Sequence, residues 1–149
     1  METYDAYIVA PIVNSTNIIR NLNLIKIHEV IKDIIKLHNI KVDIYSPANI
    51  KINSEDNGRK SIDSALCVIV IVPTEHMRKF MLLIAHTISR NKKLYVLLLD
   101  EELKKVQAGI IANGYEDVNV DNEASKSDYF DIFCNFIISA KEEKRQLHG

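Results

Sequence analysis

The residues best suited to chemistry are Glu75 and His76, which follow the apolar run Leu66 to Val72 (LCVIVIV) and the pair Pro73-Thr74. A carboxylate beside an imidazole at a strand exit suits nucleophilic or proton-transfer work, with Glu75 carrying the charge and His76 the proton. The same position also suits a carboxylate with no catalytic part, because a negative charge in a first helical turn contributes about 0.3 to 1 kcal/mol. Arg78 and Lys79 come next and can meet a ligand phosphate or simply water. Asn14, Ser15 and Thr16 follow the first apolar run, where a hydroxyl serves as a phosphate contact or as a helix N-cap. Cys67 and Cys134 lie inside apolar patterns and read as small hydrophobes rather than nucleophiles or a disulfide. His28, His38, His76, His86 and His148 show no ligand spacing, so no metal site is expected.

Regular elements must position these groups. Leu66 to Val72 and Leu94 to Leu99 are continuous Val, Ile and Leu runs, the pattern of strands covered on both faces of a parallel sheet, and a helix is expected between them from about Met77 to Arg90. Tyr4 to Val13 (YDAYIVAPIV) reads as the first strand, its pairing stopped by Pro11. A helix is expected from Thr16 to His38, with Ile18, Leu22, Ile25, Val30, Ile31, Ile34, Ile35 and Leu37 on its apolar side. Leu24 and Ile27 widen that side, and Asn21 to Asn23 is weak helix material. Ile40 to Tyr45 alternates like a strand nearer the sheet edge, and Ser46 to Lys60 reads as a polar loop with a short turn of helix.

Further on, Asp100 is expected to cap a short helix from Glu101 to Ala112 that stops at Asn113-Gly114, before a fifth strand at Val118 to Val120. Glu123 to Asp128 offers caps for a last helix carrying Tyr129, Ile132, Phe133, Phe136, Ile137 and Ala140, with Lys141 to Gly149 expected to fray. The alternation predicts a single α/β domain over residues 1–149: a flavodoxin-like three-layer sandwich with a five-stranded parallel sheet in the order 2-1-3-4-5. Ligands of such folds sit where the strand order reverses, here between strands one and three. The candidate ligand-binding residues are therefore Ala10, Pro11, Ile12, Asn14, Ser15, Pro73, Thr74 and Arg78, beside the candidate catalytic pair Glu75 and His76.

Composition narrows the partners. With 19 Lys and Arg against 20 Asp and Glu, the 149-residue chain has no cationic excess to hold a nucleic-acid duplex. The N-terminus METYDAY lacks a secretory pattern, and no apolar run approaches the ~20 residues of a membrane helix, so a cytoplasmic protein is expected. A phosphoacceptor site needs acids where the chain has Ala10-Pro11 and Val72-Pro73, and a dinucleotide loop needs glycines that the turn after Pro11 lacks.

The opening YDAYIVAPI, with Asp5 and a strand ending in Ala-Pro, and the stretch SIDSALCVIVIVP followed by a helix and KKLYVLLLD, resemble two related flavodoxin-like groups. These are the Toll/interleukin-1 receptor (TIR) domains and the nucleoside 2-deoxyribosyltransferase-like proteins. The resemblance covers roughly Tyr4 to Asp100 and rests on strand patterns. It implies cleavage or transfer at the N-glycosidic bond of a nucleoside or of NAD⁺, an N-glycosidase, NAD hydrolase or deoxyribosyltransferase activity, with no resident cofactor and NAD as a possible substrate or ligand. It also implies a second use, self-association or docking of a partner, for which the nearly all-apolar helix between Phe80 and Ile88 is suited. The family glutamate falls where this chain has Met81 or Leu82, which leaves Glu75 as the nearest acid and a binder without catalysis as the alternative. A signal-nucleotide sensor is a further reading, since a base can be held by stacking and a phosphate by Arg or Lys without glycines.

Overall fold

The computed structural model describes residues 3–10, 18–45, 54–73, 78, 80–99, 105–111, 114–121 and 125–148. In chain order the elements are β1 (Tyr4–Val9), α1 (Ile18–Ile35), β2 (Val42–Ile44), α2 (Ser54–Asp63), β3 (Ala65–Pro73), α3 (Met81–Ser89), β4 (Lys93–Leu99), β5 (Lys105–Ile111), β6 (Gly114–Asp121) and α4 (Lys126–His148). They form one sheet in the order β2-β1-β3-β4-β5-β6. The β2-β1-β3-β4 portion is parallel throughout, with Ala6 facing both Val42 and Cys67, and Ile69 facing Tyr95.

The β-branched runs form these strands because both of their faces are covered. Cys67, Ile69 and Ile71 of β3 join Ala6 and Ile8 of β1 and Tyr95 and Leu97 of β4 in a cluster closed by α1 and α4. Val68 and Val70 join Tyr7, Val9, Leu94 and Val96 in a second cluster with Ile62 of α2 and Phe80 and Ile84 at α3. Each fully buried Ile or Leu contributes roughly 1.5 to 3 kcal/mol, so central strands without alternation are where this chain concentrates its stability. Free Cys67 and Cys134 are both buried, and burial pushes both thiols up, Cys67 to about 12, so neither presents a thiolate.

The expected fifth parallel strand is replaced. After Leu99 the chain returns antiparallel: Leu97 pairs with Ala108 and Leu99 with Val106, and β5 then pairs antiparallel with β6. A parallel return needs a crossover of a dozen or more residues, and only residues 100–104 separate β4 from β5. The segment expected to be a helix from Glu101 to Ala112 is therefore a strand over Lys105–Ile111, and Val118 to Val120 belongs to the edge strand β6, which pairs antiparallel with β5 rather than parallel with β4. Asn113-Gly114, read as a helix stop, is equally a hairpin signal, and Ile111 does pair with Gly114.

Other boundaries shift for local reasons. The polar stretch before β3 carries a full helix, α2, anchored by buried Ile62. Helix α1 continues through Asn21 to Asn23, because packing outweighs their poor propensity. Its buried seam is Leu24, Ile27, Val30, Ile31 and Ile34, whereas Ile25 and Ile35 are exposed, so the two residues read as widening the apolar side belong to its centre. Helix α4 starts in a reciprocal cap: Asp128 N donates to Ser125 Oγ at 3.1 Å, and Ser125 N donates to Asp128 Oδ2 at 3.1 Å. It then runs on to His148, through the Lys, Glu, Arg and Gln segment expected to fray, which is built of strong helix formers.

Candidate functional site

The strand order reverses between β1 and β3, which lie side by side and parallel, with Val9 facing Val70. Their carboxyl ends therefore open on the same edge of the sheet. Ala10, just past β1, is partly exposed and packs against the α1/α4 cluster. Pro73 ends β3 opposite Leu99, and having no N–H it can donate no further ladder bond there. Arg78 is exposed beyond it. Pro11, Ile12, Asn14, Ser15, Thr74, Glu75 and His76 lie outside the described residues.

Helix α3 begins at Met81, later than the expected Met77, with Phe80 as its N-cap residue and no side-chain cap. Met81 and Leu82 are 48% and 60% exposed, and Ile88 on the same helix is 46% exposed. These three apolar side chains of α3 are therefore not enclosed by the protein's own core.

Two aromatic residues at this end of the sheet were not singled out in the sequence. Tyr45 directly follows β2, and its N–H donates to Ile8 O at 2.9 Å, continuing the ladder with β1. Its ring lies edge-on to Phe80, centroids 5.8 Å apart at 80°. Because β2 and β3 flank β1, residues leaving the two outer strands meet over the end of the middle one. Phe80 is buried and Tyr45 half-buried against the cluster holding Tyr7 and Val9. Burial raises the Tyr45 hydroxyl's pKa, and Tyr7 is pushed higher still by burial and by the nearby Asp43 and Tyr45. Both are neutral hydroxyls at physiological pH.

The opposite edge of the sheet holds ion pairs with structural roles. Asp5 accepts from Lys41 N at 2.8 Å and pairs with Lys141 Nζ at 3.5 Å, so it ties β1 to the segment before β2 and to α4. Asp63 at the end of α2 meets His86 Nε2 at 2.9 Å and Arg90 Nε at 3.3 Å, linking the ends of α2 and α3. Arg90, the C-cap residue of α3, also complements the negative end of that helix's dipole. Among the described residues no three His, Cys, Asp or Glu side chains converge as a metal site would require.

Fold and site together define an α/β protein whose parallel strands run 2-1-3-4 and whose switch-point edge is framed by Ala10, Tyr45, Pro73 and Phe80. No family model matches the chain, and neither a curated protein nor a solved structure matches it. No helix among the described residues is long and apolar enough to cross a membrane.

Proposed function

We propose that this protein binds a nucleoside, a nucleotide or NAD⁺ in the crevice between the chain segments leaving β1 and β3, as a flavodoxin-like, TIR-like or deoxyribosyltransferase-like domain. The observation that carries the reading is the reversal of strand order between β1 and β3, the place where open parallel sheets take their ligands. In this reading the candidate ligand contacts are Ala10, Pro11, Ile12, Asn14 and Ser15 from the sequence after β1 and Pro73, Thr74 and Arg78 from the end of β3 onward, with Arg78 as the phosphate partner. Any N-glycosidic chemistry falls to Glu75 with His76 as proton partner, since Met81 and Leu82 stand where the family carboxylate would be. A thermal-shift screen of nucleosides, nucleotides and NAD⁺ tests binding. A ligand at a hundred times its dissociation constant adds roughly 2.7 kcal/mol of stability. Release of free base or nicotinamide by the wild type, abolished in Glu75→Gln, is the expected signature of the catalytic version; binding without release assigns the protein as a binder.

A second reading, self-association through α3, is favoured by the exposed Met81, Leu82 and Ile88, a patch of the kind that marks contact surfaces. Light scattering across protein concentrations decides it, and a monomer at every concentration removes it.

A further inference from the structure

Resting on the nucleotide reading above, we infer that Tyr45 is the residue against which the ligand's aromatic ring stacks, so that the crevice selects ligands by a planar base or nicotinamide rather than by sugar and phosphate alone. Three observations converge on it. Tyr45 leaves β2 at the level of the end of β1, as its N–H bond to Ile8 O requires, and so stands at the switch-point edge. Phe80, which leads into α3 from the β3 side, holds the Tyr45 ring edge-on at 5.8 Å, so the pair spans the end of β1. In an edge-to-face pair only one face of one ring is covered by the other, so a ring held this way still offers surface for stacking. Finally, Phe80 and Tyr7 are only 7% and 2% exposed, whereas Tyr45 keeps accessible surface. Among the described residues at this edge, Tyr45 is the aromatic a ligand can reach. A ring fixed by its neighbour loses little freedom when a base settles on it, the condition under which stacking contributes most.

The chain contains no tryptophan, which supplies a direct reporter. In Tyr45→Trp the sole indole sits at the proposed stacking position. AMP, adenosine and NAD⁺ are expected to quench its emission, whereas ribose 5-phosphate leaves it unchanged. Tyr45→Leu is expected to weaken AMP binding about 5- to 150-fold, the range given by losing one base–aromatic contact, while Tyr45→Phe stays near wild type. The inference is overturned, with the nucleotide reading intact, if AMP stabilises the wild type and Tyr45→Trp in a thermal melt but the indole emission does not respond. Should no base-bearing ligand stabilise even the wild type, both the inference and the reading beneath it fall. The fluorescence arm keeps the test decisive if Tyr45→Leu does not fold.

Discussion

Gly58 of α2 lies so close to Leu83 of α3 that a Cβ added there would stand 2.5 Å from Leu83 Cδ2. The two helices approach so closely here that a larger residue must displace the end of the Leu83 side chain, which favours a glycine inside a helix, where it otherwise costs about 1 kcal/mol relative to alanine. Gly58→Val is expected to lower the unfolding free energy by about 1 to 3 kcal/mol through overpacking. The cost should be smaller in a Leu83→Ala background, because the obstructing atom is the end of a flexible side chain. A double-mutant cycle in urea measures this, and equal costs in the two backgrounds would contradict it.

Asp63 joins α2 to α3 through His86 and Arg90 on a partly exposed surface. Asp63→Ala is expected to cost about 0.5 to 1 kcal/mol, in the range of exposed pairs, and the difference from wild type should shrink in 1 M salt as screening takes hold. Chemical denaturation at low and high salt reads both.

His28 is half-buried in α1, and its Nε2 is enclosed with no hydrogen-bond partner among the described residues. Burial, and secondarily the charge on Lys32, lower its pKa from the usual 6.5. The folded state therefore holds the imidazole neutral while the unfolded chain protonates near 6.5, so the unfolded state binds more protons below that pH. Stability from this residue is complete above pH 6.5 and is lost as pH falls from there through the lowered folded value. Between pH 7.5 and 5.0 the wild type should lose more stability than His28→Leu; parallel pH profiles would rule out the assignment.

Arg78 is exposed just past β3. Under the proposed function, Arg78→Gln should leave the melting temperature within error, as surface changes usually do, while weakening AMP and NAD⁺ but not adenosine. Isothermal titration with the three ligands separates a phosphate contact from a solvated side chain.

Leu82 is the most exposed of the large apolar residues on α3. Leu82→Lys should change monomer stability by less than about 0.5 kcal/mol. If α3 is an association surface, the variant remains monomeric at concentrations where the wild type assembles, which light scattering follows directly.

The candidate site was legible in part. Strand ends follow from where apolar runs stop, so Ala10 and Pro73 could be placed at one edge of the sheet from residue types alone. Tyr45 and Phe80 were not recognisable as a pair: they lie 35 positions apart and meet only because β2 and β3 leave the sheet on either side of β1. In the sequence, each is simply an aromatic next to a strand or at the start of a helix.

What the amino-acid sequence determined by itself is the central parallel layer and its helical covers. Continuous Val, Ile and Leu in β3 and β4 cannot be satisfied with one face in water, and the 3.6-residue recurrence in α4 requires a single buried stripe. What only the tertiary structure decided is the path after Leu99, the full helix at Ser54–Asp63 and which side of α3 faces solvent. Strand direction depends on a partner across the sheet, helix in a polar stretch on a neighbour such as Leu83, and exposure of an all-apolar helix on how many neighbours it finds. Those quantities belong to contacts between distant segments, and local pattern does not contain them.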